Sequence, residues 1–311
     1  DPHSLEGYQW ESEIPSMEHR SKAYDVVEML RRAKRPLLHI GQGIRIDHAI
    51  PELYALLDRL KIPVVTARNG ADIIESDNDL YIGRPGTFAQ RGANFAVQTC
   101  DFYLAIGTRL SLAQTGYNAK DYARNAYKVM VDISEAELCK DTVPIDLGIQ
   151  ADARDFIVAL TEAVKGAEIP DWSEWLARCK AWQAKYPPVT DEQRKQKQYV
   201  NSYHLVERLS AVAGEDVIVT DMGYSFQVTH QAWRIKLGQR LMTNCGLAAM
   251  GWGLPAAIGV ASGSGGRVIA IVGDGGLMMN LQELATIAHH KWPIKIFCLN
   301  NGGYLTMRQS Q

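Results

Sequence analysis

Asp274 stands among three glycines, Gly273, Gly275 and Gly276, at the end of the apolar run in the stretch IAIVGDGGLMMN. Glycine in that place marks a tight turn, or a backbone that another group must approach closely. A carboxylate there can cap the following helix or hold a hard cation. After Gly275 come 24 residues and then Asn300 and Asn301, at the end of a second apolar run, IKIFCLNN. One helix fits between the two runs. A right-handed crossover then returns the second strand beside the first, so that Asp274 and Asn301 face one crevice. Carboxylate and amide oxygens suit magnesium or calcium, and magnesium keeps positions open for water and phosphate oxygens. The Gly275 and Gly276 amides, at a helix N-terminus, are placed to receive the same phosphates.

The elements that must position these residues alternate along the whole chain. From Tyr24 the segments YDVVEMLRRAK and IPELYALLDRL have helical periodicity, and PLLHIGQG, IPVVTA, FYLAIGTRL and YKVMVDI are short apolar runs. After a polar, aromatic stretch with a Pro-Pro break the alternation resumes with YHLVERLSAVA, DVIVTDMG, LPAAIGVASG and RVIAIVGDG. The pattern predicts an α/β protein with two doubly wound parallel-sheet domains. The expected organisation is a linker over 1–20, a first domain over 21–165, a helical linker over 166–200 and a second domain over 201–311. Glycines cluster after strands, where open parallel sheets bind ligands. GQG at Gly41 and Gly43 lacks the third glycine of the dinucleotide fingerprint, so a standard nicotinamide site is not supported.

Composition excludes several classes. A formal net charge of -2, with 22% charged and 46% hydrophobic residues, gives no basic excess for nucleic acid. No apolar run approaches the ~18 residues of a membrane span, and the first residues lack the pattern of a signal peptide, so a cytoplasmic protein is expected. Five scattered cysteines without a CxxC pair fit reduced thiols. Neither GxxxxGK[ST] nor GxSxG occurs, which disfavours a phosphotransferase or a serine hydrolase.

GDG followed by NN resembles the diphosphate-binding motif of thiamine diphosphate enzymes. NCGLAAMGWGLPAAIG at 244–259 is similar to a segment of the acetolactate synthase group of these enzymes. The resemblance implies that Asp274, the Asn301 side chain and the Gly303 carbonyl hold Mg2+, and that Gly273, Gly275 and Gly276 cradle the diphosphate. It implies Met250 as the wedge that bends the cofactor and the Ala248 carbonyl as acceptor for its aminopyrimidine. Gly223, Tyr224 and Ser225 are expected beside the cofactor, with Asp221 and His230 near the same cleft; ordinary capping by Asp221 is an equal reading.

Residues 21–164 also resemble that family's middle domain. In flavin-carrying members the matching segments would set Gly41, Gly43, Gly107, Arg109, Asp132 and Asp152 around FAD. The implied activity is decarboxylation of a 2-oxo acid, pyruvate first, with carboligation of the remaining unit to a second carbonyl compound. Alternatives are a simple 2-oxo acid decarboxylase and a non-catalytic FAD- or ADP-binding module. Relatives carry a pyrimidine domain with an activating glutamate, which has no counterpart here. The polypeptide alone is therefore expected to be inactive, its parent being a homodimer or homotetramer.

Overall fold

The computed structural model describes residues 18–311, and most of the stretch expected as an N-terminal linker lies outside them. Ten strands form two sheets, and every pairing is parallel. The first sheet contains β1 (Pro36–Ile40), β2 (Val64–Thr66), β3 (Tyr81–Gly83), β4 (Phe102–Ile106), β5 (Tyr127–Asp132) and β6 (Leu147–Gln150). Its order is β3-β2-β1-β4-β5-β6, so the chain reverses direction between β1 and β4. All five residues of β1 and all five of β4 are buried, as expected for strands covered on both faces. The helices form two groups. Glu18–Arg32, Ile50–Leu60 and Ala153–Lys165 pack together, while Arg91–Thr99 packs on Ser173–Lys185.

The second sheet contains β7 (Val217–Thr220), β8 (Arg240–Met242), β9 (Val268–Gly273) and β10 (Ile294–Leu299), ordered β10-β9-β7-β8. The α/β reading with two parallel sheets is thus correct. Three strands, β3, β6 and β8, were not anticipated, being only three or four residues long with little apolar character. Among the described residues no helix is long and apolar enough to cross a membrane.

The helix Ser173–Lys185 is tied to the first sheet rather than suspended between the sheets. The indoles of Trp172 and Trp175 donate to the carbonyls of Ala33 and Pro36 at 2.8 and 2.9 Å. The two halves are then joined by buried polar contacts. Arg84, wholly buried after β3, donates to the carbonyls of His230 and Trp233 at the end of the helix Tyr224–Ala232. Those carbonyls have no partners within the helix and carry its negative dipole end, so a guanidinium is the matching donor. Asp72, also buried, accepts from Arg45 and from Arg240, each at 2.9 Å, and from the Leu241 amide at 3.0 Å. Ser76 and Ile235 exchange two further bonds of 2.8 Å.

His230, placed near the cofactor cleft by sequence, lies instead beneath this interface. It is 1% exposed, its ring stacks on Phe226, and burial together with the Arg84 and Arg68 charges holds its pKa far below the usual imidazole range. Removing the Arg84 guanidinium leaves two buried carbonyls unsatisfied. Arg84→Ala is expected to lower stability by about 2–5 kcal/mol, read as a drop in the urea midpoint of the buried tryptophan fluorescence. An unchanged midpoint would show that the interface does not depend on this residue.

Candidate functional site

The strands β9 and β10 pair without a register shift, Val268 opposite Ile294 and Gly273 opposite Leu299. Asp274 and Asn300 are therefore the next residues on two neighbouring strands, and both chains leave the sheet at the same height. A crevice of about 190 Å³ lies at these ends. Gly223, Tyr224, Ser225, Ala248, Met250, Gly273, Asp274, Gly275, Gly276 and Asn301 all line it, so ten residues singled out from sequence meet in one place. Met222, Leu299 and Tyr304 complete much of its apolar wall.

The donor atoms in the crevice are partly committed and partly open. Asp274 accepts the Gly275 amide at 3.0 Å through Oδ1 and the Gly303 amide at 2.6 Å through Oδ2. Gly303 thus turns its N-H toward Asp274 here. Asn301 Oδ1 is buried and has no hydrogen-bond partner. A buried amide oxygen left in this state costs about 1–3 kcal/mol unless something satisfies it. A divalent cation is one such group, so the residues fit a metal. Gly275 lies under the Tyr304 ring, whose nearest atom would be 2.9 Å from an added Cβ. Gly302, Gly303 and Tyr304 all have positive φ, a tight loop that glycine makes accessible.

The side chains from the β7 end are arranged differently from one another. The Ser225 hydroxyl is buried and donates to the Asp221 or Met222 carbonyl. The Tyr224 phenol pairs with Ser202 at 2.9 Å. Gly223 has φ of +78° at the helix start, a conformation that strains any other residue. Asp221 is 1% exposed and reaches past the turn to the Gly251 amide, which sequence reasoning had not foreseen. Burial pushes its carboxyl pKa up, and the backbone amides around it pull the other way.

The second group of expected residues gathers in another crevice, of about 520 Å³, at the switch point between β1 and β4. Gly43, Gly107, Arg109, Asp132 and Asp152 line it. Gly41 does not, because it packs directly on the neighbouring loop: a Cβ there would sit 2.2 Å from the Gly107 carbonyl oxygen. Burial raises the carboxyl pKa of Asp132 and of Asp152. Arg68 and Cys245 also line this crevice and were not foreseen: Arg68 belongs to no periodic or glycine-rich pattern, and the stretch 244–259 that holds Cys245 was read toward the other crevice. Arg68 is held over the rings of Phe88 and Phe226 at 5.3 and 5.5 Å. His289 and His290, adjacent on one helix, are both exposed.

Comparison with known proteins agrees with this geometry. Residues 24–160 match the family model described as thiamine pyrophosphate enzyme, central domain, and residues 221–311 match that of the C-terminal TPP binding domain. The chain is 33% identical over 293 residues to the acetolactate synthase large subunit of Cyanidium caldarium, covering 91% of this chain and 48% of that protein. It is 32% identical to the probable acetolactate synthase large subunit of Methanocaldococcus jannaschii, covering 88% and 47%. Against the acetolactate synthase isozyme 2 large subunit of Escherichia coli identity is 31%, covering 91% and 50%. The chain therefore spans about half the length of the curated relatives it matches. With two parallel sheets, a strand-end crevice between Asp274 and Asn301, and matches across both halves, the chain belongs to the thiamine pyrophosphate enzymes and carries their central and C-terminal TPP-binding domains.

Proposed function

We propose that the crevice beyond β9 and β10 binds thiamine diphosphate through a magnesium ion, in an enzyme that decarboxylates a 2-oxo acid and joins the product to a second carbonyl compound. The observation that carries the reading is the buried, unpartnered Asn301 Oδ1 in the crevice that Asp274 also lines. An all-oxygen donor set of carboxylate, amide and backbone carbonyl suits magnesium with phosphate oxygens completing the shell. Asp274, Asn301 and the Gly303 carbonyl are the proposed ligands. Gly303 reaches that role when its loop turns, which glycine at 302 and 303 permits.

When bound, the cofactor supplies the electron sink for breaking the bond between the carbonyl carbon and the carboxylate of the 2-oxo acid. The chain's own residues bind and orient. The glycines Gly273, Gly275 and Gly276 leave room for the diphosphate, and Gly223, Tyr224 and Ser225 close the side next to β7. Met250 would support the bound cofactor, and the Ala248 carbonyl would accept a hydrogen bond from its aminopyrimidine and so orient that ring. The apolar wall of Met222, Leu299 and Tyr304 excludes water. Pyruvate as donor and carboligation as outcome are supported by the name of the relatives, acetolactate synthase; release after protonation would make a simple decarboxylase. The proposed setting is a cytoplasmic homodimer or homotetramer.

A second ligand is favoured by the larger crevice at the β1/β4 switch point, with Gly43 and Gly107 admitting a close approach and Arg109 offering a cation. FAD is the proposed occupant, with Asp132 and Asp152 accepting from its hydroxyl groups.

In calorimetric titration, thiamine diphosphate is expected to bind with magnesium and at least about tenfold more weakly without it. Asp274→Ala and Asn301→Ala are each expected to remove that difference; an equal affinity with and without the metal would overturn the reading. An added Cβ at Gly276 would lie 1.9 Å from Asp221 Oδ2, so Gly276→Ala is expected to cost roughly 1–3 kcal/mol of stability, seen as a lower melting temperature. FAD added to the chain is expected to co-migrate with it on gel filtration as a yellow band, less so for Arg109→Ala. A colourless protein peak counts against a flavin site.

A further inference from the structure

The turn that carries Ala248 and Met250 is held at Gly251, by one residue on its N-H and another on its carbonyl. Ala248 has φ of +57°, and its amide donates to Asn244 at 2.7 Å, so the turn doubles back before reaching Met250. Next along is Gly251, with φ of +83°. Its N-H lies between the two carboxylate oxygens of Asp221, at 3.0 and 3.1 Å. Its carbonyl accepts from Asn280 Nδ2 at 2.7 Å. Asp221 also takes the Met222 amide at 2.8 Å, so its carboxylate is locked in place. The same carboxylate rests on Gly276, where an added Cβ would fall inside its van der Waals surface, and Gly251 itself packs on Met279 and Asn280.

Three segments distant in sequence therefore meet at one residue, Gly251: the β7 end, the turn at 248–251 and the helix Asp274–Met279 that starts at the proposed cation ligand. From this we infer that Asp221 and Asn280 are positioning residues that fix Met250 and the Ala248 carbonyl at a set height above the diphosphate end of the site. The inference rests on the cofactor reading given above. Neither side chain acts on the reacting atoms. Both act through Gly251, whose lack of a side chain lets Asp221 and Asn280 approach from opposite directions. The two oxygens of Asp221 accept from a pair of backbone donors, Met222 and Gly251.

The consequence is a division of labour that binding can separate. The diphosphate end depends on Asp274, Asn301 and the glycines, whereas the bend and the aminopyrimidine depend on the clasped turn. Two probes read these apart: magnesium pyrophosphate, which carries the diphosphate end alone, and magnesium thiamine diphosphate. For the full 311-residue chain, Asn280→Ala is expected to weaken thiamine diphosphate by about tenfold while leaving pyrophosphate affinity within about twofold. Asp221→Asn is expected to act in the same direction and more strongly, since an amide nitrogen would face a backbone donor. The double variant is expected to lose less than the two losses multiplied, because both hold the same residue. Asn280 is only half-buried, so Asn280→Ala keeps the test decisive should Asp221→Asn fail to fold. Equal loss of both probes, or no loss of either, overturns the clasp. A wild-type chain that binds neither probe overturns the cofactor reading itself, and the clasp with it.

Discussion

The pairing of β9 with β10 in register is the constraint on which the site depends. Parallel strands joined by a crossover helix end on the same edge of a sheet, and here they end at the same height, Gly273 opposite Leu299. This brings a carboxylate and an amide together without any special loop. A shift of either strand by one residue would turn that strand's side chains to the other face of the sheet. The apolar residues of β9 prevent this, because Val268, Ala270 and Val272 share one core cluster with Val219, Ala257 and Ala261, while Ile269 and Ile271 enter another. Site geometry and core packing are therefore set by the same alternation of side chains.

Much of this was readable in the sequence because it follows from periodicity and spacing. The apolar runs that became β1, β4, β5, β7, β9 and β10 are long enough to carry a signal, and the glycines after them mark the binding edge. Asp274, Asn301 and the neighbouring glycines, chosen in this way, line one crevice together with Ala248, Met250, Gly223, Tyr224 and Ser225, which the family resemblance supplied. What could not be read is what depends on distance in space between polar side chains. Arg84, Asp72 and Arg68 sit in short irregular segments, and nothing in their neighbours says that Arg84 meets the His230 and Trp233 carbonyls, Asp72 meets Arg240, or Arg68 lies over the Phe226 ring. His230 was misplaced for a related reason: it follows the β7 turn in sequence, but the helix that carries it rotates its ring away from the crevice and under the domain interface.

That interface also explains how two separately patterned halves hold one arrangement. Its contacts include hydrogen bonds from the buried Arg84 guanidinium to the helix end and from Arg240 to the buried Asp72 carboxylate. Such contacts are directional and fail when a partner moves by an ångström, whereas apolar contact tolerates sliding. The first sheet is thereby a rigid reference for the loops of the second.

The stretch from Cys245 to Met250 lines both crevices, Cys245 and Gly246 at the larger and Ala248 and Met250 at the smaller. Any occupant that shifts this stretch from one end changes the free energy of filling the other. Linkage then requires the effect to be mutual and equal in size: by whatever factor the first guest raises or lowers affinity for the second, the second does the same for the first. The two cavities share one wall, six residues of main chain from Cys245 to Met250.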